Sequence, residues 1–142
     1  MKWLIKFLVT GFFSGKSPIM PGTAGSLVAA ALIWLYPLNW WQIVLICMFS
    51  VFLCGQAEKL YGETDPGQVV LDEFCGMFVA TWQLESLSWI FLAFVLFRIF
   101  DIGKPFLIRR VQELPDGWGV VLDDLLAGLA ARAIIALIML VL

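Results

Sequence analysis

Five carboxylates stand where an apolar chain has no evident use for them. Asp72 and Glu73 interrupt the apolar run 69–84, Asp101 closes the run 87–100, and Asp123 and Asp124 open the run that continues to Leu142. An unpaired carboxylate in a low-dielectric setting is costly, so such groups pair, protonate or bind a cation. Two adjacent acid pairs add mutual repulsion, which a divalent ion relieves. With oxygen ligands and no imidazole or thiolate in the pattern, Asp72, Glu73, Asp101, Asp123 and Asp124 are expected to hold Mg²⁺, with Mn²⁺ or Ca²⁺ as alternatives. The competing expectation is that these acids cap helices or pair with Arg98, Lys104 and Arg132.

Spacing adds an anion site. On a helix ending near Pro105, Arg98, Asp101 and Lys104 recur every three residues and share a face. This sets Lys104 as a phosphate-binding cation beside a metal ligand, with Arg98 as a weaker second. Asp123 and Asp124 fall in the early turns of another helix, where the dipole favours negative charge. Gly128 and Ala131 follow on that helix and offer small surfaces for close helix contact. The segment from Ser14 to Ser26 is rich in Gly, Ser, Pro and Thr and precedes an apolar run. Free amides and hydroxyls at a helix N-terminus bind anions, so Ser14, Gly22, Thr23, Gly25 and Ser26 are candidate substrate-binding residues.

Other chemistries are excluded by residue type. The chain has no histidine, which removes Ser-His-Asp and Cys-His catalysis, phosphohistidine and histidine-ligated zinc. Cys47, Cys54 and Cys75 form no CxxC pair, and none precedes an arginine by six residues, so they read as small buried hydrophobes. Gly11 to Ser17 resembles a nucleotide-binding P-loop, but three residues separate its glycines where four are needed, and no strand leads into it. No nucleotide and no nucleic acid is therefore expected. Asp123-Asp124 followed by Gly128 and Arg132 evokes the alcohol-phosphatidyltransferase motif. That motif fails here, because Leu125 follows Asp124 and no acid lies beyond it.

The elements that must position these residues are apolar helices. Of 142 residues 62% are hydrophobic and 14% charged, and the net charge is -2. A soluble domain carries about 25% charged residues. Apolar stretches run over 27–36, 40–55, 69–84, 87–100 and 120–142, with polar loops over 56–68 and 104–119. Spanning a bilayer takes about 20 apolar residues, and the runs Trp40–Gly55, Leu87–Phe100 and Leu125–Leu142 have 16, 14 and 18. The expectation is an all-α protein: a single domain over 1–142, forming a compact helical bundle, membrane-embedded or membrane-associated, with about three or four short or broken apolar helices. The alternative is a soluble helical domain whose apolar faces form a multimer core. Residues 1–10 lack the apolar length and cleavage site of a signal peptide and are expected to be retained. Trp34, Trp40, Trp41, Trp82 and Trp89 lie near run ends, as in an interfacial aromatic belt. Lys2, Lys6, Lys16, Lys104, Arg109 and Arg110 place the acidic helix ends on the cytoplasmic side.

Four segments together resemble the phosphatidylglycerophosphatase A family. They are Ser14-Gly15 through Pro21-Gly22-Thr23-Ala24-Gly25-Ser26-Leu27, Asp65-Pro66-Gly67 through Asp72-Glu73 to Gly76-Met77, Phe97-Arg98-Ile99-Phe100-Asp101-Ile102-Gly103-Lys104-Pro105, and Gly117-Trp118-Gly119-Val120 through Asp123-Asp124 to Ala127-Gly128. They occur in family order from about residue 11 to 132. Phe13 stands where a small residue is usual in that family, Leu107 where a second proline is common, and Asp116 where another glycine is common. The resemblance implies a Mg²⁺-dependent lipid phosphatase that hydrolyses phosphatidylglycerophosphate at the inner membrane of a bacterium. It would be a multi-pass protein with its active site facing the cytoplasm. Its partners would be the phospholipid substrate and the bilayer, and a homo-oligomer stays open. Asp72, Asp101, Lys104 and Asp124 are then the expected catalytic residues, with direct attack by water. A rival reading of the same acids is a small cation or proton transporter subunit.

Overall fold

Proline, glycine and short polar turns cut the chain into seven α-helices with no strand. The computed structural model describes all 142 residues. The helices are α1 (Lys2–Val9), α2 (Pro21–Leu35), α3 (Trp40–Tyr61), α4 (Leu71–Ala80), α5 (Leu87–Gly103), α6 (Phe106–Val111) and α7 (Trp118–Val141), with a 3-10 turn at Ser14–Lys16. The all-α expectation holds, but several boundaries move. α2 begins at Pro21, ahead of the apolar run, because proline at the first helical position loses no hydrogen bond. Ser26 therefore lies within the second turn of the helix rather than ahead of it. α3 continues through Gly55 and stops at Gly62, whose φ of 72° closes the helix in the left-handed region that suits glycine. The polar stretch after Lys104 contains α6, which was expected as loop.

α4 is the centre of the bundle. It packs against α2, α3, α5 and α7, and its Phe74, Cys75, Gly76, Met77, Phe78 and Ala80 are all buried. Fully burying side chains such as Met77 and Phe97 stabilises the fold by roughly 1.5–3 kcal/mol each. The closest approach is between α4 and α7. A Cβ on Gly128 would collide with the carbonyl oxygen of Gly76, and one on Gly76 would lie 2.6 Å from the carbonyl oxygen of Asp124. Only glycine at these two positions lets the backbones come this near.

Two helices, α3 with 22 residues and α7 with 24, are long and apolar enough to cross a membrane by length and composition. At about 1.5 Å per residue they reach about 33 and 36 Å, against about 30 Å of hydrocarbon. α2, with 15 residues, and α5, with 17, fall short of that length. Much of the outer surface is apolar: Leu45, Met48, Phe49 and Phe52 on α3, Phe91 and Ile99 on α5, and Leu137 and Leu140 on α7 are exposed. Contiguous exposure of this kind marks a surface that meets lipid or another protein.

Charge is segregated along the bundle. The starts of α2, α4 and α7 and the ends of α3 and α5 lie at one end. Eight of the nine basic residues are in the segments that meet there, Arg132 being the exception. Of the eleven acids only Glu85 lies in the turns at the other end.

Candidate active site

The glycine contact that joins α4 to α7 also sets their acids side by side. Asp72 precedes Gly76 by four residues and Asp124 precedes Gly128 by four. Each carboxylate therefore stands one helical turn, about 5.4 Å, before the same crossing point. The two helices run in the same direction, so both acids project on the same side of the contact. Asp123 joins them: one oxygen each from Asp72, Asp123 and Asp124 lie within 4.8 Å of one another, and all three residues are buried. Their relative exposures are 5, 3 and 2%.

The cluster extends to the other two predicted acids. The Glu73 side chain lies within hydrogen-bonding reach of Asp72, and the Asp101 side chain is equally near Asp124. Asp101 sits in the last turn of α5 and forms an ion pair with Arg98 one turn earlier. Lys104 Nζ donates to Asp123 Oδ2 at 2.9 Å. Thus the five acids converge, and two of them also have the cationic partners that the competing expectation named. Arg132 is not among those partners; it donates from Nε to the carbonyl of Trp82 at 2.9 Å.

Two cations do not neutralise five carboxylates. Asp72 Oδ1, Glu73 Oε2, Asp123 Oδ1 and Asp124 Oδ2 are buried without any hydrogen-bond partner. Burial, followed by the charge of Glu73, pushes the Asp72 carboxyl well above the usual range. Burial likewise raises Glu73 to about 7. Lys104 keeps its proton more firmly than a free lysine. Burial acts against its charge, but the hydrogen bond and charge of Asp123 outweigh that effect. A set of hard oxygen donors without hydrogen-bond partners at this separation fits a divalent ion such as Mg²⁺, and Asp72, Asp123 and Asp124 are the residues that could hold it.

Lys104 reaches Asp123 through an unusual backbone. It caps α5 with φ 39° and ψ 74°, in the left-handed region, although Gly103 beside it would adopt that conformation freely. A non-glycine residue held there costs roughly 1–3 kcal/mol and persists where the surroundings over-determine it.

The start of α2 supplies the anion-binding side. A Cβ on Gly22 would fall 2.7 Å from Glu73 Oε1 and 3.3 Å from both terminal nitrogens of Arg98, so the helix opens directly against these side chains. Ala24 is the first residue of this helix whose amide bonds back to a carbonyl, that of Met20 at 3.1 Å, so the amides of Gly22 and Thr23 are left without a backbone partner. Thr23 Oγ1 and Arg98 Nε are buried and unpartnered as well. The remaining predicted anion ligands are differently engaged. Ser26 Oγ donates to the Gly22 carbonyl at 2.8 Å, and Ser14 Oγ donates to the Gly11 carbonyl at 2.7 Å. Gly25 faces Val70, where a Cβ would lie 2.6 Å from the valine side chain. These three shape the loop and the helix packing, whereas Gly22 and Arg98 border the acids and Thr23 follows Gly22 with its hydroxyl buried and unpartnered. Beside Pro21, a shallow polar cleft of about 740 Å³ is lined by Gly15, Lys16, Ser17, Gly67 and Gln68.

One residue was not singled out from sequence. Asp65, at φ 52°, lies close enough to Lys104 and Asp101 to feel both charges. Its only sequence signal is the Asp65-Pro66-Gly67 turn.

Comparison with known proteins gives the family. The sequence profile of the family described as Phosphatidylglycerophosphatase A matches residues 7–139. A phosphatidylglycerophosphatase A of Escherichia coli strain K12 is 39% identical over 136 residues, covering 90% of this chain and 79% of that protein. Its counterpart in Haemophilus influenzae is 41% identical over 140 residues, covering 92% and 86%. A Bacteroides thetaiotaomicron protein described as a candidate phosphatidylinositol-3-phosphatase is 40% identical over 141 residues, covering 89% and 88%. No solved structure matches the chain. With the family profile spanning nearly the whole sequence and relatives near 40% identity, the chain belongs to the phosphatidylglycerophosphatase A family of phosphoester hydrolases.

Proposed function

We propose that the protein hydrolyses phosphatidylglycerophosphate to phosphatidylglycerol and phosphate, with Mg²⁺ held by Asp72, Asp123 and Asp124. The observation that carries this reading is the buried trio of carboxylates within 4.8 Å, each with an oxygen lacking a partner, set beside the free amides of α2 and the Arg98 guanidinium. An ion in that position supplies Lewis acidity to the phosphoryl oxygens and a lowered pKa to a nearby water.

The chain does the rest. Arg98 and the amides of Gly22 and Thr23 bind the phosphate oxygens and orient the group. Lys104 holds Asp123 and offsets the charge of the cluster as negative charge gathers in the transition state. Glu73 Oε2, buried without a partner beside Asp72, accepts the proton of the attacking water. The new bond joins the water oxygen to phosphorus. The bond that breaks joins phosphorus to the glycerol oxygen, which takes a proton from solvent. Asp101 fixes Arg98 through their ion pair.

The same reading places the protein in a bacterial inner membrane as a multi-pass protein. α3 and α7 cross the bilayer, and the carboxylate end faces the cytoplasm. It is supported by the length of those helices and by the concentration of lysine and arginine at that end. A cation or proton transporter subunit is not favoured. The family is one of phosphatases, and the acids sit at helix ends beside anion-binding amides rather than midway along the long helices.

Phosphate release from a panel of lipid phosphomonoesters tests the proposal, with Mg²⁺ and with EDTA. The expected result is Mg²⁺-dependent release that prefers phosphatidylglycerophosphate, and a loss of at least about a hundredfold in Asp124→Asn and Asp101→Asn. Near-normal turnover in both folded variants, or full activity in EDTA, overturns it.

A further inference from the structure

A groove between α2 and α5 begins at Leu27 and Phe94, one helical turn from Thr23 and Arg98 of the anion site. Along α2 the residues Thr23, Leu27, Ala30 and Trp34 succeed one another at intervals of four, three and four. Along α5, read back from the site, Arg98, Phe94, Phe91 and Leu87 do the same. Such intervals keep side chains on a single helix face. The two helices pack together, and Leu27, Ala30, Trp34, Leu87, Phe91 and Phe94 line a groove of about 600 Å³ between them. The stripes therefore end on Thr23, which follows Gly22 and has a buried unpartnered hydroxyl, and on Arg98, which lies beside the acids with an unpartnered Nε.

We infer that this groove seats one acyl chain of the phosphomonoester lipid whose phosphate lies at Gly22, Thr23 and Arg98; the inference rests on the lipid phosphatase reading above. Length agrees with that occupant. Eleven residues separate the two ends of each stripe, or about 16 Å, close to half of a hydrocarbon core of about 30 Å. A chain attached at the phosphate end thus reaches the bilayer midplane inside the groove. Chemistry agrees as well, since the lining is apolar apart from Ser88 and holds no charge, while Arg98 stands one helical turn beyond Phe94. A second apolar groove, lined by Trp40, Val44, Trp82 and Leu129, lacks this connection. Its one cation, Arg132, is bonded to the Trp82 carbonyl. Seating a chain in the first groove fixes the distance from the lipid tail to the phosphorus, which aligns the scissile bond with the carboxylates.

Chain-length dependence of turnover tests this. Purified protein is assayed in mixed micelles with dipalmitoyl and dibutyryl phosphatidylglycerophosphate, and the ratio of their kcat/KM values is read for each variant. Ala30→Trp fills the groove at its middle and is expected to lower the dipalmitoyl-to-dibutyryl ratio at least about tenfold, through KM. Losing the contact of roughly two methylenes is enough for that. Trp34→Ala removes bulk, so it cannot overpack, and lowers the same ratio about threefold. Leu137→Trp, on the exposed face of α7, keeps the wild-type ratio. An unchanged ratio in both groove variants overturns the assignment. So does an equal fall for both lipids in Trp34→Ala of normal helix content, or the same selective loss in Leu137→Trp, which makes the effect one of general crowding by surrounding lipid. Failure of the wild-type protein to release phosphate from either lipid overturns instead the parent reading of lipid phosphatase activity, so the two failures are distinct.

Discussion

The two ends of the bundle obey different rules. At the end formed by the α2–α3 and α4–α5 connections, polar groups are satisfied in ordinary ways. Gln42 Oε1 accepts the Asn39 amide at 2.8 Å, Ser86 Oγ accepts the Trp89 amide at 3.3 Å, and Gln83 is the one residue there with positive φ. At the opposite end lie ten of the eleven acids. The buried polar atoms without partners are all found there. So are six of the seven non-glycine residues with positive φ: Phe12, Phe13, Met20, Asp65, Lys104 and Asp116. Strain and unsatisfied charge concentrated in one place, with regular structure elsewhere, are what a binding or catalytic site imposes on a fold.

The contrast breaks most severely at the crossing of α4 and α7. Gly128→Leu drives a side chain into the Gly76 backbone, which cannot swing aside as a side chain would. The expected cost is about 3 kcal/mol of stability, seen as a lower Tm in detergent, with loss of phosphate release because Asp72 and Asp124 no longer share one side of the contact. A variant that keeps both its Tm and its turnover would show that the glycine contact does not position the acids.

Lys104→Gly separates backbone strain from charge. Glycine takes the left-handed cap at no steric cost, so the end of α5 relaxes, but Asp123 loses the donor at 2.9 Å. Turnover is expected to fall by about ten- to a hundredfold, the scale of removing a group that orients a metal ligand, while Tm changes little. The apparent Mg²⁺ affinity should move with the rate, as read from a Mg²⁺ titration. Equal activity in Lys104→Gly would reduce Lys104 to a helix cap.

How much of this was legible in sequence follows from the range of the interactions. The acids announced themselves because a carboxylate inside an apolar run is locally anomalous, and the three-residue recurrence of Arg98, Asp101 and Lys104 is a local helical pattern. The pairing of Lys104 with Asp123 spans nineteen residues, and the crossing of Gly76 and Gly128 joins helices far apart in the chain. No periodicity encodes either one. The start of α2 at Pro21 lies ahead of the apolar run, in a stretch whose glycines and serines have poor helix propensity and so do not mark a helix by composition. Ser14 and Ser26 looked like anion ligands by type, and only the fold shows their hydroxyls turned back on Gly11 and Gly22. α3 passes through Gly55 because that glycine packs against the Asp116 carbonyl, a tertiary reason that outweighs its poor helix propensity.

At the regular end, Ser86→Ala removes the hydroxyl that accepts the Trp89 amide. The expected loss is about 1 kcal/mol, with kcat/KM for the dibutyryl lipid unchanged, since nothing at that end touches the acids and so short a chain does not reach Leu87. A fall in turnover larger than the fall in folded fraction would mean that the two ends are coupled through α5.

The smallest effect comes from strain that the site does not use. Asp116 holds φ 57° in the turn before α7, at the position where a glycine is common in the family. Its carbonyl oxygen packs against Gly55, where a Cβ would lie 2.7 Å away, and Gly117, the next residue, also has positive φ. Asp116→Gly relieves the steric cost of the left-handed conformation, which is modest for aspartate, and adds unfolded-state entropy that opposes the gain. The net expectation is a rise of about 0.5 kcal/mol in stability, visible as a small increase in Tm, with phosphate release unaltered. Lys104 and Asp116 then respond in opposite ways to the same substitution. Where the strained side chain reaches a carboxylate, relief of strain lowers activity; where it reaches none, relief only stabilises. Matching losses of turnover in the two glycine variants would instead make the left-handed turns themselves part of the site.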